Sequence, residues 1–310
     1  MQKTQFTMSQ AKEGFFLNAA ARGLSEHTLS DYENTINKFI MFVGEDTPIA
    51  QVTTRQVTEF LASFPKLSNK TLLNYHTGLS AMWTWAIAEK LTTENVVRAI
   101  IPPKPEIRKI IPFTENEMKL MLGALEKSRP YTRPGKKLSD HSLPSGDRSR
   151  AILLLLLDTG LRASELCEAT IQQVDNRNHR ILVLGKGAKE RLVQFSSRTG
   201  QAMWRYLTSR PDAGPTDPLF ATFDGHPMDR DNLRHVIERI GERAKIDDVH
   251  PHRFRHTFAI QFLRNGGDPF TLQMLLGHST MDMVKRYLAL AQTDLEAAHR
   301  KASPVDHWRL

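Results

Sequence analysis

Cysteine is almost absent from this chain of 310 residues. The single thiol, Cys167, excludes an internal disulfide and any zinc site built from several cysteines. Cys167 follows Leu166 in an apolar stretch, so we expect it to be a buried structural thiol. So little cysteine is typical of a protein from a reducing compartment.

Long hydrophobic runs are missing as well. The first ten residues, MQKTQFTMSQ, lack the apolar centre of a signal peptide. The leucine-rich run at residues 151–157 is too short to cross a bilayer and predicts a buried helix. We therefore expect a soluble, cytoplasmic protein that is not associated with a membrane.

Two catalytic signatures are absent. The chain has no Gly-rich Walker loop for a nucleoside triphosphate and no acidic cluster typical of two-metal nucleases. We therefore expect an activity that needs neither a metal ion nor another cofactor.

Negative charge is in deficit, and the deficit is uneven. The chain has 42 Lys and Arg against 34 Asp and Glu, a net charge of +8. Residues 1–105 carry 10 basic and 9 acidic side chains, whereas residues 106–310 carry 32 and 25. A basic surplus favours an anionic partner such as nucleic acid, although it is also a common aid to solubility.

Residues 8–101 predict an all-helical domain. Apolar side chains at helical spacing, with Ser or Thr at the starts, predict helices over 9–22, 25–43, 53–64 and 68–90. Four such helices form a small bundle. The polar face of the fourth helix is either solvated or able to enter a DNA groove; its candidate DNA contacts are Lys70, Asn74 and His76.

Prolines divide the chain. Three of them within residues 102–105 predict an extended linker over 102–112, between a first domain at 1–101 and a second at 113–310. Thr114 and Glu117 open the second domain as a capping box. The polar, basic composition of residues 128–149 predicts an exposed loop, and its candidate DNA contacts are Lys136 and Lys137.

A small β-sheet is predicted next. Alternating β-branched sequence indicates strands at 170–174, 180–184 and 191–195, the last two joined by a tight turn at 185–189. Lysines on such turns usually have no special role, so Lys186 and Lys189 gain interest only if other groups converge on them.

The densest group of polar side chains lies between residues 250 and 287. A helix over 254–264, a second one capped by Asp268 and closed at Gly277, and a third carrying Tyr287 follow one another closely. Ser279 or Thr280 is the predicted cap of the third. Burying His and Arg side chains among apolar residues is costly unless they serve a site. The pattern predicts an oxyanion, such as a phosphate, held next to a tyrosine.

Five motifs carry a resemblance to a known family. They are TGLRASEL at 159–166, GKGAKER at 185–191, HRFRH at 252–256, LLGHS at 275–279, and Tyr287 nine positions beyond His278. In this order and spacing the chain resembles the tyrosine recombinase (phage integrase) family, in particular its two-domain Xer-type members. The resemblance covers nearly the whole chain. It implies a mainly α fold: a SAM-like four-helix core-binding domain and a helical catalytic domain with a three-stranded antiparallel sheet.

The resemblance also implies how the strands are cut. Tyr287 would attack a DNA phosphodiester, giving a covalent 3′-phosphotyrosine and a free 5′-hydroxyl. A phenol has a pKa near 10, so His252 would act as its general base. Arg162 and Arg255 would hold the non-bridging oxygens, and His278 would donate a further hydrogen bond.

The supporting residues follow from the same resemblance. Lys186 would protonate the leaving 5′-oxygen, with Lys189 as the competing lysine. Glu165 would orient the site, and His256 is expected to pack and hydrogen-bond rather than to react. Lys189 and Arg191 are further candidate DNA contacts.

The implied partner is double-stranded DNA with short core sites. The protein would be a homotetramer on two synapsed duplexes and a monomer when free of DNA. A tail over 291–310, with a helix at 294–301, would dock on a neighbouring protomer or on its own. A second recombinase or a directionality factor, and the biological role, stay open. The alternatives are a nicking-closing enzyme of the type IB topoisomerase kind and a catalytically silent DNA-binding protein.

Overall fold

The computed structural model describes residues 6–106, 109–125, 145–185, 190–278, 280–291, 299 and 303–308. The chain divides into two compact units, residues 1–108 and 109–310, and the break falls inside the segment predicted as a linker. Several predictions fall outside the described residues: the central part of the basic loop with Lys136 and Lys137, the turn lysines Lys186 and Lys189, and most of the tail helix.

The N-terminal unit contains four helices: α1 (Met8–Ala21), α2 (Glu26–Val43), α3 (Thr54–Ala62) and α4 (Asn69–Ala88). A Ser or Thr side chain caps each of them by accepting a backbone N–H three residues further on. Phe39 lies at the centre, edge-to-face with Phe60 at 5.1 Å and with Trp83 at 5.8 Å between ring centroids. The predicted helical bundle is confirmed.

His76 corrects one prediction on this unit. Its side chain on α4 is buried, with Nε2 3.1 Å from the carbonyl oxygen of Val97 and 3.2 Å from that of Ile100. The ring therefore donates to two carbonyls that follow the bundle, and it is not available to DNA. Lys70 and Asn74 are exposed on the same helix and remain candidate contacts.

The second unit is mainly helical. Its helices are α5 (Glu115–Gly123), α6 (Gly146–Thr159), α7 (Ala163–Glu168), α8 (Ser197–Thr208), α9 (Arg230–Ala244), α10 (Pro251–Arg264), α11 (Pro269–Leu276), α12 (Asp282–Ala291) and α13 (Pro304–His307). The leucine-rich run forms the buried centre of α6, as predicted. The loop prediction was wrong at its end, because α6 already begins at Gly146 and buries Arg148 and Ser149.

A three-stranded antiparallel sheet in the order β1-β2-β3 lies in the same unit, as predicted. The strands are β1 (Val174–Asp175), β2 (Arg180–Leu184) and β3 (Glu190–Gln194), with Val183 opposite Arg191. The first predicted strand was misplaced. Ile171–Gln173 form a 3-10 turn instead, since the N–H groups of Ile171 and Gln172 bond to the carbonyls of Asp217 and Pro215.

Helices α10, α11 and α12 surround a small apolar cluster with Ile260, Leu272 and Val284 at its centre. Helix α10 begins at Pro251 with His250 as its N-cap, three residues earlier than predicted, so His252 lies in its first turn. Asp268 caps α11, and Gly277 ends it with a left-handed φ of 61°. Within the described part of the chain, no helix is long and apolar enough to cross a membrane.

Candidate active site

Arg162 is fixed at the turn between α6 and α7. Gly160 adopts a φ of +62°, and an added Cβ there would lie 2.5 Å from Phe258, so this tight turn requires glycine. The Arg162 guanidinium donates to Oε1 of Glu165 at 2.7 Å and to the carbonyl of Gly277 at 3.1 Å. It keeps about a third of its side chain exposed (33%), so it can still meet a ligand.

Arg255 lies deeper in the same region. Its guanidinium donates to the carbonyl of Gly160 at 2.8 Å, to that of Leu276 at 2.7 Å and to Nε2 of His278 at 2.8 Å. Burial, and then the nearby charge of Arg162, lowers the pKa of Arg255 to about 10, so it remains a cation at neutral pH. All three acceptors are neutral, and the positive charge is therefore kept for an anion.

His278 follows the glycine that ends α11. Because its Nε2 accepts from Arg255, the ring proton lies on Nδ1. Burial first, and then Arg255, lowers the pKa of His278 to about 4, so the ring is neutral. Nδ1 is buried and has no hydrogen-bond partner among the described residues. A neutral donor without an acceptor, next to two arginines, is suited to an oxyanion.

Glu165 joins this region to the sheet. Burial alone would raise its pKa, but hydrogen bonds from Arg191 and from the backbone N–H of Arg162 outweigh burial and lower the pKa to about 2. Arg191 reaches both carboxylate oxygens at 2.8 Å and the carbonyl of Leu275 at 2.8 Å. Three N–H groups of Arg191 are thus used inside the protein, and the expected contact of this side chain with DNA stays a prediction. The orienting role expected for Glu165 agrees with these contacts.

Tyr287 lies against the same histidine and is almost fully buried (1% exposed). Its ring stacks on His278 with 6.3 Å between centroids, and its hydroxyl is 2.8 Å from Nδ1 of His256. Burial raises the pKa of Tyr287, whereas burial and the neighbouring His252 lower that of His256 to about 4. The phenol is therefore protonated and donates to a neutral imidazole.

His252 occupies the first turn of α10. With Arg255 and His256 it forms an i, i+3, i+4 set on one face of the helix. Its ring centroid is 6.5 Å from that of His256, and no contact joins it to Tyr287. Partial desolvation, followed by His250, Arg255 and Arg162, lowers the pKa of His252, which favours its neutral, proton-accepting form.

The structure thus brings together most of the predicted site: Arg162, Glu165, Arg255, His256, His278 and Tyr287, with His252 beside them. Lys186 and Lys189 lie outside the described residues. Sequence reasoning missed the internal contacts of Arg191 and the bond between His256 and Tyr287. The four-residue spacing of His252 and His256 places both rings on one face of a helix, and this signal could have pointed to the bond between His256 and Tyr287. Among the described residues, no three His, Cys, Asp or Glu side chains are grouped to hold a metal ion.

Comparison with known proteins identifies the family. The model described as "Phage integrase family" matches residues 106–294, and "Phage integrase, N-terminal SAM-like domain" matches residues 16–90. The chain belongs to the phage integrase family. This agrees with the resemblance drawn from the five motifs, and the chain is accordingly a tyrosine-type site-specific recombinase.

Individual relatives of this recombinase cover most of its length. It is 30% identical to Tyrosine recombinase XerC of Staphylococcus saprophyticus, over 90% of this chain and 92% of that protein. A Tn1549 transposon integrase in complex with a circular intermediate DNA has a TM-score of 0.73 at 22% identity, over 95% and 98% of the two chains. A lambda integrase tetramer bound to a Holliday junction has a TM-score of 0.69 at 20% identity, over 89% and 79%.

Proposed function

We propose that this recombinase cuts and rejoins double-stranded DNA through a covalent 3′-phosphotyrosine on Tyr287. One observation carries the proposal: two cationic guanidinium groups and the unpartnered donor of His278 converge beside that tyrosine. The charge on a phosphodiester grows at its non-bridging oxygens as a nucleophile attacks. Fixed donors that face this charge stabilise the transition state more than the ground state.

Arg162 and Arg255 divide the binding of the scissile phosphate. Arg255 is held by two carbonyls and keeps a fixed position, whereas Arg162 is partly exposed and meets the phosphate first. When the phosphate arrives, its oxygens accept from further N–H groups of these guanidinium groups while the bonds to the carbonyls stay in place, and hydrogen bonds between charged partners are the strong ones. His278 then donates from Nδ1, the ring nitrogen that the protein leaves without an acceptor.

Tyr287 has to leave its buried position to react. In the described state the phenol faces His256 inside the apolar cluster, where a DNA phosphate has no access. Displacement of α12 brings the hydroxyl to the phosphate, and His252, the exposed residue in the first turn of α10, accepts the proton as attack proceeds. Lys186, which lies between β2 and β3 in the sequence, protonates the leaving 5′-oxygen.

The reaction needs no external energy source. The phosphotyrosine bond replaces one phosphodiester bond, so a 5′-hydroxyl from a second strand attacks it and releases the phenol. Arginine, histidine and lysine side chains supply both the charge and the proton transfers, so the scheme uses no metal ion and no nucleotide.

The partners follow from the same scheme. Exchange between two duplexes at short core sites requires four active sites, which is the state proposed for this chain on DNA, with a monomer when free. The similar lambda integrase, which is a tetramer bound to a Holliday junction, supports this proposal. The exposed apolar side chains Val305 and Trp308 support a tail that docks on a neighbouring protomer. We place the activity in the cytoplasm, on nucleoid DNA, with a second recombinase or a directionality factor as optional partners.

Covalent trapping tests the proposal. A library of nicked duplexes, in which the short cleaved strand diffuses away, is incubated with the protein, and the protein-linked strand is isolated and sequenced. We expect a defined sequence joined to Tyr287 through its 3′-phosphate. The absence of any covalent DNA adduct would refute the proposed function.

A plasmid assay addresses the topoisomerase alternative, which the family match does not favour. A recombinase with defined core sites is expected to leave a supercoiled plasmid without such a site unchanged. Relaxation of that plasmid at a rate comparable to strand cutting on the trapped sequence would favour a nicking-closing enzyme.

A further inference from the structure

Arg191 has contacts inside the site that its predicted role as a DNA contact does not explain. We propose that it is a positioning residue: it holds Arg162 and the turn before His278 in the geometry that binds the scissile phosphate. The proposal rests on the proposed function, since it assigns Arg191 a part in the same site. Arg191 itself touches neither the phosphate nor Tyr287.

Three segments distant in sequence meet at this guanidinium. Arg191 belongs to β3, and its Nη1 and Nη2 each donate to one oxygen of Glu165, in the first turn of α7. Its Nε donates to the carbonyl of Leu275 near the end of α11. A planar guanidinium with three bonds in fixed directions sets both the distance and the orientation of these segments. An ammonium group cannot reproduce that geometry.

Charge neutralisation is the first consequence. Glu165 is buried, and its carboxylate has two arginine partners, Arg162 and Arg191. Arg191 forms the bidentate pair and so supplies the neutralising charge, which leaves the guanidinium of Arg162 bound to one carboxylate oxygen only. Without Arg191, the buried anion would draw Arg162 into the bidentate position. That arginine would then turn away from the phosphate.

Close packing against the turn of α11 is the second consequence. Gly277 has a φ of +61°, and a Cβ there would lie 3.3 Å from Nη1 of Arg191. Arg191 thus underlies the turn whose carbonyls of Leu276 and Gly277 accept from Arg255 and Arg162. His278 follows directly. A shift of this turn displaces all three donors that face the phosphate, which explains why a side chain outside the pocket controls its geometry.

The test compares Arg191→Met with Arg180→Met. Arg180 is the matched control, since it lies on the neighbouring strand β2 and pairs with Asp175 at 3.0 Å, without any contact to Glu165 or α11. Both variants are assayed for single-turnover cleavage at saturating concentrations of the nicked duplex recovered by covalent trapping. We expect Arg191→Met to lower the cleavage rate about 10²-fold, the scale of a 1 Å misplacement of catalytic groups. The control is expected to cleave at the parental rate.

A modified substrate separates positioning from a general loss of structure. A methylphosphonate at the scissile position replaces one charged non-bridging oxygen by a methyl group and so removes part of the task of the arginines. If Arg191 acts through Arg162, the deficit of Arg191→Met shrinks at least about tenfold on this substrate. Glu165→Gln is expected to show the same deficit, with no further loss in the double variant. Arg191→Lys is expected to recover only part of the rate.

Each of three results would overturn the proposal: cleavage by Arg191→Met equal to that of the control, an equal deficit on both substrates, or a reduced salt dependence of DNA binding with normal cleavage. The last result would restore Arg191 as a DNA contact, since losing one phosphate contact lowers the salt slope by about one. Crystal structures of the parent and of Arg191→Met without DNA provide a further decision. Unchanged positions of Arg162 and His278 in the variant refute the proposal. The proposed function is refuted separately, if the parent protein forms no covalent DNA adduct.

Discussion

The two halves of the active site are held in different ways. The arginine half, Arg162 and Arg255, is bonded to backbone carbonyls at residues 160, 276 and 277. The tyrosine half, Tyr287 on α12, is buried among apolar side chains with one hydrogen bond, to His256. A buried carbonyl left without its donor costs about 1–3 kcal/mol, whereas one neutral hydrogen bond contributes about 0.5–1.5 kcal/mol. The proposed phosphate pocket is therefore built before DNA arrives, and the proposed nucleophile is held beside it.

This difference separates two tasks. A pocket that stabilises developing charge gains from being rigid, because it then spends no free energy on reorganisation during the reaction. A phenol that attacks DNA gains from being withdrawn until the duplex is bound, because the buried hydroxyl is protonated and inaccessible. Variants of the two halves are therefore expected to fail in different ways.

Removal of the nucleophile is expected to have the largest effect. Tyr287→Phe retains the ring in the apolar cluster and loses only the hydroxyl, so DNA affinity is expected to stay near the parental value. Formation of the covalent adduct is expected to fall on the order of 10⁶-fold, the scale of nucleophile removal in another covalent enzyme. The measurement is gel-resolved adduct yield with nicked duplexes, beside DNA binding by fluorescence anisotropy.

Tyr206→Phe is the matched control for that variant. Tyr206 is also buried in the second unit, where its hydroxyl accepts from the backbone N–H of Ala221 and from Arg210. Loss of this hydroxyl is expected to cost about 1 kcal/mol of stability and to leave adduct formation intact. Equal adduct yields from the Tyr287→Phe variant and the parent would show that another group is the nucleophile.

A change in the arginine half is expected to be smaller but to affect two properties. Arg255→Lys retains the charge and cannot serve both carbonyls and His278 with one ammonium. Single-turnover cleavage is expected to fall about 10²–10³-fold, as for the loss of one oxyanion donor. The melting temperature is expected to fall as well, since a buried carbonyl loses its donor. Unchanged stability together with slow cleavage would mean that the pocket is not prebuilt.

How far the sequence predicts this site depends on whether the partners are local. The helix caps Ser25, Ser68 and Thr114 were predicted correctly because each one bonds to a backbone N–H three residues away. Arg162, Arg255 and Tyr287 were proposed through the resemblance, since motif spacing reflects the chemistry that a family shares, and the structure places the three side chains in one region. The mainly α fold with its small sheet was predicted both from local sequence patterns and from the resemblance.

Errors arose where the partners are distant. The contacts of Arg191 inside the protein were missed, and their acceptors lie 26 and 84 residues away in sequence. His76 bonds to carbonyls 21 and 24 residues away, and the first predicted strand gave way to a 3-10 turn held by residues 215 and 217. The local sequence around a polar side chain does not reveal that the side chain will be buried and bonded to a carbonyl or carboxylate that is distant in sequence.

Acid is expected to protonate the two buried histidines and Glu165 in different pH ranges. His256 and His278 have pKa values of about 4 in the folded protein, against an ordinary value of 6.5. The unfolded chain therefore binds more protons between pH 6.5 and 4. The stability that these neutral rings contribute is complete above pH 6.5 and is lost as the pH falls toward 4. For Glu165, lowered from 4.5 to about 2, the loss begins only below pH 4.5.

Urea denaturation between pH 7.5 and 4.5 measures the histidine contribution. We expect the free energy of unfolding to fall by between about 1 and 3 kcal/mol per histidine over this range, and His256→Asn to lose its share of that slope. His235→Asn is the control, because His235 is exposed on α9. If both variants retained the parental dependence of the unfolding free energy on pH, His256 would not contribute to the acid sensitivity.

The variant with the smallest expected effect is His256→Phe. It decides whether His256 only holds Tyr287 in its buried position or also accepts its proton during attack. His256→Phe retains a ring beside Tyr287 and removes the acceptor of the phenol proton, so the buried hydroxyl loses its one hydrogen bond. If His256 only stores Tyr287, the buried state is destabilised by about 1 kcal/mol, and adduct formation accelerates several-fold, up to about tenfold. If His256 accepts the proton during attack, the same variant slows adduct formation instead. Single-turnover cleavage of the nicked duplex at pH 7.5 measures the sign, and His235→Phe, also expected to bind DNA normally, sets the baseline. We expect acceleration, because a histidine with a pKa of about 4 is too weak a base for a phenol whose pKa is raised.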